Sequence, residues 1–452
     1  MIAVAETPEP TEEIKSGNDA PHRGVRVVGM IRRVAVDITP LRSSRDYRLI
    51  WFGELISIIG RQITVVALPY QVFRLTHSSL AVGLIGLVQV FPLVLFSLLG
   101  SAFVDSIDRR KLILATEIGL GVTSGLFVGG ALLAHPPLWF LYSVAGLQAG
   151  ISGVNQPSRS AALPKLVSAE NLPSALALNQ VMYNLTLIIG PVLGGLIIAF
   201  LGVAWAYGVD ALTFAASITA TFLLRPLPPD RSAIEIPKGW KAIREGLLYA
   251  RRRRVLISTF LVDLDAMIFG MPAAVFPVLA LDVFRVGPTG LGLIFAAPAV
   301  GALMGALTTG WVKSVRHQGR AVIFAVAIWG ASITAFGVAS KARLFLLGLL
   351  FLGIAGAADV ISAVFRLTIL QLAVPDRLRG RLSALHIIVV TGGPRLGDAE
   401  AGAVASLVSP TFSVVSGGLA CLVGVAILAL VFPELARYQA GDSLDSSQEP
   451  GS

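Results

Sequence analysis

Several side chains in this 452-residue chain sit inside long apolar stretches, where hydrocarbon does not tolerate an unpartnered charge. Each such charge costs about 2.5–3.5 kcal/mol near a bilayer centre, so it needs a partner or water. Glu54 and Arg61 are seven residues apart and share one face of a helix. Arg395 and Asp398 are three apart, close enough to pair, with Glu400 near by. Asp263 and Asp265 fall about 12–15 Å into their stretch at ~1.5 Å per residue. Asp359 precedes Arg366 by two turns. The chemistry open to such groups is proton uptake and release: burial favours the protonated carboxyl, and a nearby guanidinium favours the ionised one. The proton-carrying candidates are Glu54, Asp265, Asp359 and Asp398, with Arg61, Arg395 and Arg366 as charge partners. A fixed ion pair between helices is the alternative for each. Asp210 is as open to a packing or outer-gate role as to a chemical one.

Bond-making chemistry is not suggested. There is no Gly-x-x-x-x-Gly-Lys-[Ser/Thr] phosphate loop, no Gly-x-Ser-x-Gly, and no His/Glu pairing at helical spacing. The five histidines have no metal-ligand spacing, and Cys421 stands alone, so no metal, cofactor or disulfide framework is expected. His386 reads as a solvated interfacial histidine.

The elements that must position these groups are about twelve apolar stretches of roughly 20–26 residues, each able to cross a ~30 Å hydrocarbon layer as a helix. Their approximate limits are 47–73, 79–102, 112–134, 138–157, 175–200, 203–224, 255–281, 288–312, 321–340, 343–365, 382–408 and 410–432. Threaded alternately, they put about 30 of the 36 Lys and Arg in the odd-numbered connections and the tails. Arg74, Arg285, Lys341 and Arg343 fall on the other side. Positive loops stay cytoplasmic, so both termini are expected inside. The mean hydropathy of +0.77 and the 14% charged residues agree with an all-α, multi-pass inner-membrane protein. The net charge of +9 then reflects loops facing anionic headgroups, not nucleic acid. Residues 1–24 are polar and show no leader-like apolar run.

The stretches fall into a first group at 47–224 and a second at 255–432, flanked by tails 1–46 and 433–452. A polar linker, 225–254, separates them and ends in the basic block Arg251–Arg254, an anchor at the cytoplasmic face. Within it Trp240, Ile243, Leu247 and Leu248 share a helical face. The second group repeats the first. Arg159-Ser-Ala-Ala-Leu-Pro-Lys-Leu-Val corresponds to Arg366-Leu-Thr-Ile-Leu-Gln-Leu-Ala-Val, and Gly190-Pro-Val-Leu-Gly194 to Gly393-Pro-Arg-Leu-Gly397. Two pseudo-symmetric six-helix bundles are expected, able to rock about a central site.

Between the second and third stretches runs Gly100-Ser-Ala-Phe-Val-Asp105-Ser-Ile-Asp108-Arg109-Arg110-Lys111. Acid beside base across a short turn makes a charge-assisted latch. The loop resembles the signature of the major facilitator superfamily, Gly-x-x-x-Asp-Arg-x-Gly-Arg-Arg-Lys. Asp105, Arg109, Arg110 and Lys111 match, while Ser101, Ser106 and Asp108 depart from it. Within the superfamily the chain is most similar to the siderophore-exporter and drug-efflux branch, on Ala67–Leu84, Gly202–Gly208 and Ala296–Gly310. Gly190, Pro191, Gly194 and Gly195 resemble the superfamily's antiporter motif, with Thr186 in place of its first glycine. Gly393, Pro394 and Gly397 form the second copy. Proline removes a helical hydrogen bond and glycine admits a close neighbour.

The resemblance implies that Glu54, Arg61, Asp265 and Asp359 face water or substrate. It also implies a monomeric, proton-driven exporter of an amphipathic small molecule, with protons and the lipid bilayer as its other partners. Uptake, or lipid movement by the same fold, is the alternative. Gln148, Asn155, Asn179 and Asn184 are polar groups that either bond substrate or tie helices together.

Overall fold

The computed structural model describes residues 37–133, 135–228, 240–372, 374 and 376–439. Within these, the side chains of 98–106, 240–243, 246, 313, 376–381, 383, 384 and 387 are outside the description. The tails are therefore covered only at 37–46 and 433–439, and the linker only at 225–228 and 240–254.

The described residues contain no strand. Their long helices are α1 (Arg45–Thr76), α2 (Ser79–Ser106), α3 (Arg109–Leu132), α4 (Leu138–Leu166), α5 (Leu172–Phe200), α6 (Val203–Phe222), α7 (Arg254–Phe269), α8 (Gly287–Leu307), α9 (Gln318–Lys341), α10 (Phe345–Leu372), α11 (Asp376–Leu407) and α12 (Pro410–Val431). The linker contributes a further helix, Trp240–Arg252. Its Leu247 and Leu248 are exposed.

Ordinary capping chemistry sets the helix ends. Ser44 starts α1 by accepting the Tyr47 N–H at 3.1 Å, and Ser409 starts α12 by accepting that of Phe412 at 3.2 Å. Between α5 and α6 the chain turns at Gly202 with φ +94°, a conformation open to glycine.

Among the described residues, ten candidate spans are long and apolar enough to cross a membrane. The two long helices outside that set are α4 and α11, whose apolar character is diluted by Gln148, Asn155 and Gln156, and by Arg395, Asp398 and Glu400. Large apolar side chains such as Phe91, Leu346 and Leu430 face outward, as a lipid-facing surface requires.

The two halves pack alike. In the first, α1 packs on α5 and α6, α2 on α4, and α3 on α4 and α6; in the second, α7 packs on α11 and α12, α8 on α10, and α9 on α10 and α12. The halves meet along two seams, α2 with α11 and α5 with α8.

One expectation needs correcting. The seventh stretch is one candidate span, Arg254–Val283, but its helix is interrupted. α7 ends at Phe269, and the chain continues through a 3-10 turn at Ala273–Val275, an α turn at Phe276–Val278 and a π-helical segment at Leu279–Val283. Gly270 and Pro272 stand at the interruption, and proline supplies no N–H to carry the helix on.

Candidate functional site

In the first half, Ser44 starts α1 so that Glu54 lies nine residues beyond Arg45. Asp108 starts α3 and brings Glu117 onto the face that meets α4. Arg159 of α4 joins the two acids. Its Nη1 is 3.3 Å from Glu54 Oε2 and its Nη2 is 2.8 Å from Glu117 Oε1. The same Nη2 donates to Ser217 of α6 at 2.9 Å, and Nε donates to Asn155 Oδ1 at 3.2 Å. Asn155 donates in turn to Glu117 at 2.9 Å and to Thr116 at 2.8 Å. Four helices thus meet at one buried guanidinium.

The second half repeats the arrangement. Asp263 lies nine residues beyond Arg254, the first residue of α7, as Glu54 does in α1. Arg366 of α10, the counterpart of Arg159, has Nη2 at 3.0 Å from Asp263 Oδ1 and 3.6 Å from Asp359 Oδ1, and Nη1 donates to Ser362 at 3.0 Å. His386 of α11 places Nδ1 3.7 Å from Asp263 Oδ2. In both halves the guanidinium is buried, at 7% and 3% side-chain exposure, and one acid is more open: Glu54 at 21% and Asp359 at 35%. Each cluster sets two carboxylates against one guanidinium, an excess of one negative charge when all are ionised. Such an excess is costly in hydrocarbon unless a proton joins it.

Two turns from the first cluster, Asp210 of α6 is fully buried. Its Oδ2 accepts from Thr64 at 2.6 Å and from Ser124 at 2.8 Å, and Gln148 donates to Ser124 at 3.4 Å. Arg61 lies within electrostatic reach of both Asp210 and Glu117. The ion-pair partner of Glu54 is Arg159, a residue of another helix.

The remaining expected residues are placed as follows. Asp265 has its carboxylate against Gly424 of α12. Asp398 does not form an ion pair with Arg395; its Oδ1 accepts the Ala274 N–H at 3.0 Å. A main-chain donor freed by the break in α7 is a closer partner than the neighbouring guanidinium. Asn179 accepts from Tyr47 at 3.0 Å and Asn184 from Gln180 at 3.3 Å. His386 is not merely solvated, because the approach of α11 to α7 carries it to Asp263.

At the latch, the Asp105 side chain lies outside the description. Asp108 caps α3 by accepting the Arg110 N–H at 2.9 Å and also takes the Leu227 N–H at 3.3 Å. Arg110 donates to the Thr221 and Phe222 carbonyls at the end of α6 and lies over the Phe222 ring. A cation at a helix C-terminus is favoured by the helix dipole. Arg109 is buried and Lys111 exposed.

The glycine motifs lie at close helix contacts. A Cβ at Gly190 or Gly194 would meet α1, and one at Gly195 would stand 2.6 Å from the Pro288 carbonyl of α8. Gly393 and Gly397 lie against α7, and both helices run on through Pro191 and Pro394.

Glu117, Arg159 and Asp263 were not among the expected site residues. The repeat had matched Arg159 to Arg366, and Glu117 is an acid within an apolar stretch. Requiring a partner for every ionisable group, in both halves, would have found all three.

Chains of known function agree with this architecture. A family model described as transmembrane secretion effector matches residues 35–451. The enterobactin exporter EntS of Shigella boydii serotype 18 is 28% identical over 413 residues, which is 89% of this chain and 96% of the relative. EntS of Citrobacter koseri is 29% identical over the same shares. Among solved structures, a POT family transporter in complex with 5-aminolevulinic acid superimposes with a TM-score of 0.70 at 12% identity, over 87% of this chain and 97% of that one. A bacterial homologue of the iron transporter ferroportin, in an inward-facing state, gives 0.64 at 15% identity over 87% and 98%. These structures share the fold. The chain is a multi-pass inner-membrane transporter, and it belongs to the transmembrane secretion effector family of the major facilitator superfamily.

Proposed function

We propose that this protein exports an amphipathic small molecule, of siderophore-like or drug-like size, in exchange for protons. Twelve helices span the membrane as two six-helix bundles, residues 47–224 and 255–432. Both termini and the linker are cytoplasmic, and the bundles rock to expose a central site to one side at a time. The relatives named as enterobactin exporters support export. The observation that carries proton exchange is the matched pair of clusters, Glu54–Arg159–Glu117 and Asp263–Arg366–Asp359. In each, two carboxylates share one guanidinium in direct contact, with Arg61 near Glu117 in the first and His386 facing Asp263 in the second. A proton taken up by the open acid neutralises the carboxylate left over from that contact. Glu54 and Asp359, the more open acids, are the groups through which protons enter and leave. A cargo competing for the same charge would be released as protons bind. The potential adds about 2.3 kcal/mol per charge per 100 mV.

The test uses proteoliposomes of the full chain with an imposed pH gradient, enterobactin and a panel of amphipathic dyes as probes, and an internal pH indicator. Proton movement that accompanies transported probe in wild type, and is lost in Glu54→Gln, supports the reading. Transport indifferent to pH gradient and potential rejects it.

A further inference from the structure

The interruption of α7 leaves main-chain groups without helical partners inside the membrane, where each must be satisfied. Two side chains do this. The Trp329 indole of α9 donates to the Gly270 carbonyl at 2.8 Å, closing the end of α7. Asp398 of α11 accepts the Ala274 N–H at 3.0 Å, holding the turn that follows.

Asp398 also stands where α11 is pressed between two helices. On one side Gly397 admits α7, since a Cβ there would lie 2.6 Å from the Ile268 carbonyl and 2.7 Å from that of Met267. On the other side α11 meets α2 across the seam between the halves. A Cβ on Gly86 would lie 2.8 Å from the Arg395 carbonyl and 3.3 Å from Asp398 Cβ, and one on Gly402 would meet Ser79. The residue that caps the broken helix is thus part of the seam. α2 also touches the Ala273–Val275 turn directly.

We propose that Asp398 is a positioning residue: as a main-chain cap it holds the interrupted end of α7 against the α2–α11 seam, so that break and seam loosen together. The function of Asp398 is then to accept a hydrogen bond rather than to carry the exchanged proton. The charged group acting on it is Arg395 of its own helix, which attracts it without an ion pair among the described residues. The use of this device in transport rests on the alternating-access reading above, but the cap does not.

Amide hydrogen exchange of the full chain in lipid nanodiscs tests it without a substrate. Segments 270–284, 79–90 and, as a reference in the first half, 203–222 are followed in wild type, Asp398→Asn, Asp398→Ala and Trp329→Phe. Asparagine keeps the Oδ1 acceptor, so Asp398→Asn is expected within about twofold of wild type in all three segments. Asp398→Ala leaves the donor unpaired and is expected to speed exchange by about tenfold or more in 270–284 and in 79–90, with 203–222 unchanged. Trp329→Phe is expected to speed 270–284. The proposal is overturned if Asp398→Ala leaves 270–284 or 79–90 at the wild-type rate. It is equally overturned if Asp398→Asn matches Asp398→Ala, or if the rise is as large in 203–222. Loss of proton exchange in transport with these results intact would reject the export mechanism and leave the cap standing.

Discussion

Arg159 and Arg366 occupy the same place in the two halves, and each guanidinium bridges an acid on the first helix of its half to a second acid. In the first half the bridge runs from Glu54 on α1 to Glu117 on α3, at 3.3 and 2.8 Å. In the second it runs from Asp263 on α7 to Asp359 on α10, at 3.0 and 3.6 Å. The second acid thus comes from different elements in the two halves. The repeat preserves the first acid and the base and lets the other acid move.

Removing one member of a buried pair is costly because the other charge remains. Arg159→Leu is expected to lower stability by about 3–5 kcal/mol, read as a loss in the thermal or denaturant midpoint of purified protein. Adding Glu54→Gln and Glu117→Gln to it should recover most of that loss. Equal stability of wild type and Arg159→Leu would mean the network contributes no pairing energy.

His386 carries charge only when protonated, and it faces Asp263 with Arg366 and Asp359 beyond. In proteoliposomes, His386→Gln is expected to flatten the part of the transport profile that changes between about pH 5 and 8. His386→Lys is expected to hold the protein in its acid-side behaviour throughout. A His386→Gln profile superimposable on wild type would falsify a titrating role.

At the α5–α8 seam, Gly195 and Gly292 face one another with no room for a Cβ: one on Gly195 would stand 3.0 Å from Gly292 Cα. Gly292→Leu is expected to wedge the seam open at a cost of about 1–3 kcal/mol. Faster amide exchange in 190–200 and 287–295, with α3 unchanged, is the readout.

Outside the spans, Glu434 has its carboxyl held below the ordinary carboxylate range, first by the hydrogen bond from Arg254, 2.7 Å away. A lowered folded-state value contributes stability above the ordinary value of 4.5 and loses it as pH falls through the folded value. Glu434→Gln should therefore cost at most about 1 kcal/mol at pH 7, since the pair is exposed. The difference from wild type should shrink as pH falls below 4.5 and be lost once pH has passed the lowered folded-state value, in paired unfolding curves.

Part of the site could be read along the chain. The seven-residue spacing of Asp359 and Arg366 puts them on one helical face, and they meet. The pairing of Glu54 could not be read that way: Arg61 is its neighbour in sequence, but α4 delivers Arg159 from a distant segment. Asp398 likewise has Arg395 one turn away and instead caps a main-chain donor, because α7 breaks beside it. Spacing within a helix reports only partners on that helix, and the stronger partners here come from others.

The amino-acid order alone determined that this is a helical membrane protein in two related halves, because apolar length, basic loops and internal repeats are local properties of the chain. It also set which charges lie within apolar stretches. Tertiary structure decided which acid meets which base, where α7 is interrupted, and which glycines form the seams. Those outcomes depend on how helices far apart in sequence are brought side by side, and a buried charge takes whatever partner that packing supplies.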